Sequence, residues 1–294
     1  MLPGRACCRT AELAALFRAA GNFQLRGGER YGLEASFGLS ATARTTVTLV
    51  KSFDLPVEIR VREEKRLRQR KRYEIRLEGG SRLVQFLNEI GVLSDSMSLI
   101  EHVPARITSR QCCQAAFLRG AFLAGGSVSR PGAPAHLEIY SDSSPFRETV
   151  REAAAGREIP LGEMRRQRHP AVYTKNLKTV RELLVVTGAH QAALQFEERA
   201  ILSSIREEAN RRANFDQANA ARVSAAAARQ VQAIRQLRRN GTWERLSPSL
   251  REVAGLRLKH PSATIAELGQ RARPPLSKSA VNHRLRRLLA IAGM

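Results

Sequence analysis

Acidic residues are scarce in this chain, which has 27 Asp and Glu against 49 Lys and Arg in 294 residues and a net charge of +22. A compact chain with this imbalance repels itself unless a polyanion supplies negative charge, so nucleic acid is the expected partner. An anionic membrane surface is the competing partner. However, long apolar runs are also lacking: none approaches the roughly 18 residues of a spanning helix, and no signal peptide is recognisable. These absences predict a soluble, cytoplasmic, nucleoid-associated protein with no membrane partner.

Cysteine is scarce as well, with four residues in two adjacent pairs, Cys7-Cys8 and Cys112-Cys113. Neither pair has the two-residue gap that lets neighbouring thiolates converge on one zinc ion. We therefore expect no metal site and no cofactor. The cysteines are interpreted as small buried side chains near helix starts in a reducing compartment.

The cysteine pairs mark an internal repeat. The second pair follows the first by 105 positions (112 − 7), and at that offset CCRTAELAALFRAAG matches CCQAAFLRGAFLAGG. Each copy predicts an apolar helix ending at a glycine, Gly21 or Gly126, which can adopt the left-handed conformation. Both helices carry small residues, which let two backbones approach, so the helices should pack against each other. These small residues are Ala14, Ala15, Gly120 and Ala121.

A strand, a short helix, a strand pair and a final helix are predicted after each apolar helix. In the first copy these are a strand at Leu33-Glu34, a helix over Ala41–Phe53, strands over Val57–Val61 and Tyr73–Leu77, and a helix over Ser81–Ile90 stopped by Gly91. In the second copy they are a strand at Leu137-Glu138, a helix over Pro145–Ala155, strands near Pro160–Arg165 and Ala171–Thr174, and a helix over Leu177–Val186 stopped by Gly188. Packing of the two apolar helices would set two sheets side by side as a pseudo-twofold saddle.

Alternation along the first strand pair predicts one apolar face and one basic face. The apolar face comprises Val57, Ile59, Val61, Tyr73, Ile75 and Leu77, and the basic face comprises Arg60, Arg62, Arg72 and Arg76. The second copy has a basic connection with Arg165, Arg166, Arg168 and His169. The density of arginine favours a DNA-binding face that includes Arg60, Arg62 and Arg72, and the competing interpretation is an ordinary solvated sheet face.

Leu13–Gly21 (LAALFRAAG) and Leu118–Gly126 (LRGAFLAGG) resemble the two signature helices of the LAGLIDADG homing endonucleases. The resemblance implies an α+β fold of two pseudo-symmetric repeats. In those nucleases the next-to-last motif position is an acid that holds the catalytic metal, and here these positions are Ala20 and Gly125.

Metal-assisted phosphodiester hydrolysis requires hard oxygen ligands, so we expect no catalytic residues and no enzyme activity. Glu12 and Asp142 are the conceivable substitutes. Glu12 lies about two helical turns from Ala20, and Asp142 has no symmetric mate.

The C-terminal segment predicts a helix-turn-helix. A helix-prone linker over about Leu194–Leu237 comes first, with a narrow apolar stripe that should dock on a neighbouring element rather than touch DNA. The stripe comprises Ala227, Val231, Ile234 and Leu237. The signals that follow are an Asn240-Gly241 turn, a helix opened by Ser247-Pro248, a capping box from Thr264 to Glu267, a stop at Pro274-Pro275 and a third helix capped by Ser277.

Val281, Leu285 and Leu288 form the inward stripe of the third helix, so the opposite side is the predicted DNA-binding face. That face comprises Ser277, Lys278, Ser279, Asn282, His283, Arg286 and Arg287. Asn can bind adenine and Arg can bind guanine in the major groove, while Ser277 and Lys278 are positioned for phosphates.

A LAGLIDADG-like double repeat without its acids, followed by a helix-turn-helix, is similar to the WhiA family of bacterial regulators of sporulation and cell division. The resemblance extends through NFDQANAARVSAAAARQVQAI and ELGQRARPPLSKSAVNHRLRRL to nearly the whole chain. The chain begins only a few residues before Cys7, so the short N-terminal helix expected of the family should be absent or shortened. The predicted domains are residues 1–105 and 106–190 for the repeats, 191–240 for the linker and 241–294 for the helix-turn-helix.

The resemblance implies a sequence-specific transcription regulator without nuclease activity that acts on double-stranded DNA in sporulation or cell division. An RNA polymerase sigma factor or another transcription regulator is a further candidate partner. Two other functions stay open. The chain could be a DNA-binding adaptor whose repeats bind a protein, or a divergent homing-type endonuclease with displaced ligands.

Overall fold

The computed structural model describes residues 2–25, 31–64, 70–164 and 169–294. Over these ranges the chain divides into two units, Met1–Ser203 and Ser204–Met294. Each unit has its own cluster of buried apolar side chains.

The first repeat has the order αββαββα. Its elements are α1 (Ala6–Ala20), β1 (Gly21–Leu25), β2 (Tyr31–Phe37), α2 (Ser40–Lys51), β3 (Glu58–Glu64), β4 (Arg70–Gly79) and α3 (Ser81–Glu89). The strands form an antiparallel sheet in the order β1-β2-β4-β3. The sequence missed β1, because this strand begins at the residue directly after the helix and no turn signal precedes it.

The second repeat has the same order and the same sheet topology. After one helical turn, α4 (Ala105–Thr108), it comprises α5 (Gln111–Gly125), β5 (Gly126–Val128), β6 (Leu137–Tyr140), α6 (Ser144–Ala155), β7 (Gly162–Met164), β8 (Ala171–Thr174) and α7 (Leu177–Val186). Its sheet order is β5-β6-β8-β7. The α+β fold of two pseudo-symmetric repeats is thereby confirmed. The predicted basic residues Arg165, Arg166 and Arg168 lie outside the described residues.

Helices α1 and α5 pack against each other as predicted, at the centre of the N-terminal unit. A Cβ at Gly120 would overlap the carbonyl oxygen of Glu12 and lie 2.9 Å from the Ala15 Cβ, so only glycine permits this approach. The Glu12 side chain is 1% exposed at this contact and forms an ion pair with Arg119 of the opposite helix. Burial of this carboxylate between the helices assigns it to their packing.

The glycines that end α1 and α5 are extended, with φ of −92° at Gly21 and −83° at Gly126, so the predicted left-handed ends are wrong at both. The chain passes directly from each helix into a strand, and a Cβ at Gly21 would overlap the Phe17 carbonyl oxygen. Glycine is needed there for space. The predicted stops at Gly91 and Gly188 are confirmed as left-handed residues, with φ of +76° and +86°.

The predicted apolar face of the first strand pair is covered only in part. Ile75 and Leu77 of the inner strand β4 are buried, whereas Ile59 and Val61 of β3 are 49% and 56% exposed. The reason is topological, since β3 is the edge strand of this sheet and β4 lies inside it.

All four cysteines meet at one place. Their sulfur atoms lie within 4.8 Å of one another, so the expectation that adjacent pairs cannot converge is wrong. Spacing within one pair says nothing of the other pair, and the packing of α1 on α5 brings the two pairs together. Cys8 and Cys113 are buried close to the helix starts, as predicted.

Four helices and one 3₁₀ turn complete the chain. They are α8 (His190–Arg239), the 3₁₀ turn (Thr242–Arg245), α9 (Pro248–Lys259), α10 (Ile265–Arg271) and α11 (Lys278–Ile291). The helix-prone segment is thus one helix of 50 residues. Its residues Ile234 and Leu237 are buried in the core of the C-terminal unit, which confirms their predicted docking on neighbouring elements.

Candidate nucleic-acid interface

Three short helices of the C-terminal unit present the predicted recognition surface. Helices α9, α10 and α11 share one core, to which α11 contributes Val281, Leu285 and Leu288, each at most 1% exposed. These positions repeat at i, i+4 and i+7, so the opposite side of α11 is left to solvent.

Side-chain caps fix where the second and third helices begin. The Glu267 backbone N–H donates to the Thr264 Oγ1 at 3.3 Å, and the Thr264 backbone N–H donates to the Glu267 Oε2 at 2.8 Å. The Ala280 backbone N–H donates to the Ser277 Oγ at 3.2 Å. The predicted capping box and the predicted Ser277 cap are therefore confirmed. Ser247 also precedes α9 as predicted, but its Oγ contacts the Ser249 Oγ instead of a backbone amide.

A buried arginine, missed by sequence reasoning, holds the turn between α9 and α10. Arg257 is 2% exposed, and its Nη1 donates to the carbonyl oxygens of Pro261 at 3.2 Å and Ala263 at 2.6 Å. Burial lowers the pKa of this guanidinium. Arg257 is therefore part of the fold of the motif, although its charge counts toward the basic composition of the segment.

The turn between α10 and α11 depends on a close backbone approach. The Leu276 backbone N–H donates to the Gly269 carbonyl at 2.9 Å, and a Cβ at Gly269 would overlap the Leu276 carbonyl oxygen. The absence of a side chain at Gly269 lets the chain fold back on α10 before α11 starts. This approach sets the direction in which α11 leaves the turn.

The residues predicted to contact DNA lie together on the outer side of α11. Six of them are exposed, and Asn282 is half-buried beside the core stripe. The exposed six are Ser277, Lys278, Ser279, His283, Arg286 and Arg287. A surface that combines amide, hydroxyl, imidazole and guanidinium groups can serve both base-edge and phosphate contacts.

The register of the first sheet confirms that Arg60, Arg62, Arg72 and Arg76 share one face. The same face carries four glutamates, at Glu34, Glu58, Glu74 and Glu78. The described charges on this face therefore cancel. Alternation along β3 and β4 already places Glu58, Glu74 and Glu78 on this face, a signal that the prediction passed over, whereas the position of Glu34 depends on strand register.

Three of these arginines form ion pairs on the face. The Nε of Arg60 lies 3.0 Å from the Glu58 Oε1, and the Nε of Arg62 lies 2.9 Å from the Glu74 Oε2. Arg76 is paired with Glu34, and the Nε of Arg72 donates to the Ser36 Oγ at 3.1 Å. These groups would have to exchange partners before they could hold phosphates.

The corresponding face of the second sheet is built from different side chains. The register sets Glu138 opposite Tyr173, and the His136 Nε2 lies 3.1 Å from the Glu138 Oε2. The Tyr140 hydroxyl donates to the Asp142 Oδ1 at 2.6 Å, and the Tyr140 ring packs edge-on against His169. Asp142 thus binds a tyrosine at the sheet surface.

The two positions that hold acids in homing endonucleases lie at the C-terminal ends of α1 and α5. Ala20 is half-buried, and a Cβ at Gly125 would overlap the Tyr140 carbonyl oxygen. A carboxylate at position 125 would require the backbone of β6 to move. Within the described ranges, the one group of three or more side chains with metal-ligand geometry is the cysteine group at the other end of these helices.

Together, the fold and the exposed face of α11 define a class of protein with a double LAGLIDADG-like unit and a C-terminal helix-turn-helix. Family models match each part: a WhiA N-terminal LAGLIDADG-like domain at residues 6–93, a WhiA LAGLIDADG-like domain at 114–206 and a WhiA C-terminal HTH domain at 209–292. The chain belongs to the WhiA family.

Named relatives agree with this assignment. A "Probable cell division protein WhiA" from Heliobacterium modesticaldum is 38% identical over 99% of this chain and 91% of its own length. The protein of the same name from Brevibacillus brevis is 37% identical over 99% of this chain and 93% of its own length. The crystal structure of full-length DUF199/WhiA from Thermatoga maritima covers 100% of this chain and 94% of that chain, with 26% identity and a TM-score of 0.59.

None of the helices that the structure describes combines the length and the apolarity needed to cross a bilayer.

Proposed function

We propose that this protein is a sequence-specific, DNA-binding transcription regulator that reads promoter DNA through α11. The observation that supports this most is the rigid presentation of α11. Its core stripe is buried, its first turn is capped by Ser277, and its outer side gathers seven polar or basic side chains predicted for DNA contact. A helix held in this way can enter the major groove, where base edges are distinguishable.

The seven predicted DNA contacts of α11 divide into base contacts and phosphate contacts. Asn282 and Arg286 are one helical turn apart, and we assign them to base edges, since Asn suits adenine and Arg suits guanine. Ser277 and Lys278 at the start of the helix are assigned to phosphates, with Ser279, His283 and Arg287 flanking the base contacts.

We further propose that the protein lacks nuclease activity. Neither Ala20 nor Gly125 has a side-chain oxygen to fix a divalent ion or its activated water. The crowding of Gly125 against the Tyr140 carbonyl oxygen supports the view that this end of the helix pair serves packing.

The regulated processes are proposed to be cell division or sporulation, because the relatives cited above are named probable cell division proteins. Binding to promoter DNA would place the protein in the nucleoid.

A mobility-shift assay on full-length protein tests the role of α11, using a footprinted genomic site and a scrambled copy of it. We expect Arg286→Ala and Asn282→Ala each to reduce the preference for the site by roughly 1–3 kcal/mol. Arg245→Ala removes the same charge from an exposed position in the 3₁₀ turn and serves as the matched control. Unchanged preference in both α11 variants would remove this helix from the reading role.

A second candidate function assigns DNA binding to the C-terminal unit alone and gives the repeats a protein partner. It is favoured by the cancelled charges of the first sheet face and by the exposed Ile59 and Val61 on the edge strand β3. The partner would then be another component of transcription, such as a sigma factor or a second regulator.

A further inference from the structure

The four cysteines form one compact group where the two repeats join. Cys7 and Cys8 lie in the first turn of α1, and Cys112 and Cys113 occupy the equivalent positions of α5. These are all the cysteines of the chain, and each pair of sulfur atoms is separated by at most 4.8 Å. Two residues of the group are buried and two are half-buried, so the sulfurs are shielded but reachable.

The separations match the coordination of one ion. In a tetrahedral zinc site with Zn–S bonds of about 2.3 Å, neighbouring sulfurs are about 3.8 Å apart. The Cys112 and Cys113 sulfurs are 3.9 Å apart, and the remaining pairs need to close only slightly. Thiolates of an iron–sulfur cluster bind different irons and are spread more widely, so a single ion fits this group better.

The surroundings favour negative charge on sulfur. Both helices direct their N-terminal ends, which carry partial positive charge, toward the group, and neither has an acid in its first turn. Arginines occupy both N-cap positions, Arg5 and Arg110, and the Nη1 of Arg5 lies 3.8 Å from the Cys112 sulfur. Thiolates would therefore be stabilised here by the helix ends and by cationic side chains.

The thiols differ in acidity before any ion binds. Hydrogen bonding from the Cys8 thiol, with a further contribution from Arg5, lowers the pKa of Cys112 to about 7. Burial raises the pKa of Cys8 to about 11 and also raises that of Cys113. Thiolate ligation requires that a bound ion displace the protons of these thiols.

We propose that Cys7, Cys8, Cys112 and Cys113 form a tetrathiolate site for a single Zn²⁺ ion that ties the first repeat to the second. Binding releases the remaining thiol protons to solvent and involves no change of oxidation state. The site lies about 20 Å along α1 from Ala20, because 13 residues separate Cys7 from Ala20 at about 1.5 Å each. It is thus structural and distinct from the position of the nuclease metals.

The direct test is the metal content of full-length protein purified with a reductant and reconstituted with Zn²⁺. We expect one zinc per chain that survives desalting, and removal of most of it in a Cys8→Ser/Cys112→Ser double variant. Ser109→Ala, an exposed change just before α5, is the matched control and should retain full zinc. Zinc that is absent from reconstituted wild-type protein would overturn the proposal.

Of two further measurements, the first does not depend on the folding of a variant. In wild-type protein, all four thiols should react slowly with a thiol reagent and should react faster once a strong chelator has removed the zinc. Replacement by Co²⁺ should give a sulfur-to-cobalt charge-transfer band that falls by about a quarter in Cys112→Ser, as three thiolates remain of four.

Other ligands of the same sulfurs give different signatures. Visible absorption from bound iron that withstands excess Zn²⁺ would overturn the zinc assignment in favour of iron. Protein isolated without reductant would show disulfides as a mass lower by two hydrogens per bridge. If the same protein binds no metal after reduction, the cysteines form disulfides and the zinc proposal is wrong.

Discussion

Glu252 of α9 holds Arg284 of α11, with 3.7 Å between the Glu252 Oε2 and the Arg284 Nη1. The other oxygen of the same carboxylate accepts the Arg273 backbone N–H at 2.9 Å. One glutamate on the first helix of the motif therefore fixes both the turn before α11 and the side of α11 next to the candidate DNA-binding face. Arg284 is in this way a positioning residue, unlike its exposed neighbours Arg286 and Arg287.

The first prediction separates the two contacts of Glu252. Glu252→Ala removes both, and we expect it to lower the unfolding free energy of the C-terminal unit by about 1–3 kcal/mol, since charged hydrogen bonds contribute about that much. Glu252→Gln keeps an acceptor for the Arg273 N–H and should cost less. The measurement is denaturant unfolding followed by Trp243, the only tryptophan, which packs against this core. Equal decreases in both variants would contradict the assigned division of roles.

The second prediction concerns Gly269. Because its Cβ would overlap the Leu276 carbonyl oxygen, Gly269→Ala should force the turn apart and cost about 1–3 kcal/mol, with weaker binding to specific DNA. Gly255→Ala in α9 is the matched control. A Cβ there meets no described atom within 4 Å, so alanine should instead stabilise the helix by up to about 1 kcal/mol. Trp243 unfolding curves of the two variants should therefore move in opposite directions, and a shared direction would refute this account of the turn.

Local signals were enough to predict most of the C-terminal motif. The Thr264 capping box, the Ser277 cap and the inward stripe of α11 each depend on residues within one or two helical turns, and all three are present in the structure. Arg257 and Glu252 escaped sequence analysis because they bind backbone groups in turns, and because Arg284, the other partner of Glu252, is distant in the sequence. Composition counts such residues as surface charge, whereas the fold uses them inside the motif.

Most of the order of the repeats was predictable, although β1 and β5 were missed, but their lateral contacts were not. An offset of 105 residues relates two equivalent helices, and it identified the double fold. The offset does not show which strand lies at the edge of a sheet. Ile59 and Val61 are exposed because β3 is such an edge strand. The convergence of the cysteines likewise arises from the packing of α1 on α5, which cannot be inferred from the spacing within either pair.

The third prediction tests the first sheet face as a DNA-binding surface. If Arg60, Arg62 and Arg72 exchange their present partners for phosphates, the triple alanine variant should bind all sequences less tightly. The slope of log affinity against log salt should become shallower by about 0.9 for each phosphate that the variant no longer neutralises. Glu74→Gln is the opposite control, because it removes the partner of Arg62 and should strengthen binding. Unchanged affinity and salt slope in both variants would favour a protein partner for this face.

The fourth prediction addresses cleavage. Supercoiled plasmid incubated with wild-type protein and Mg²⁺ or Mn²⁺ should show no nicking above that of a buffer control, because Ala20 and Gly125 offer no carboxylate ligand. We expect the Ala20→Asp/Gly125→Asp double variant to remain inactive and to be less stable, since a side chain at 125 overlaps the Tyr140 carbonyl oxygen. Ala20→Asp alone is the control for the added acid, as position 20 is half-buried and this variant leaves Gly125 in place. A nicking activity could instead co-purify with the wild-type protein and require the divalent ion. Other residues would then bind the metal, and the assignment of this unit to binding without cleavage would be wrong.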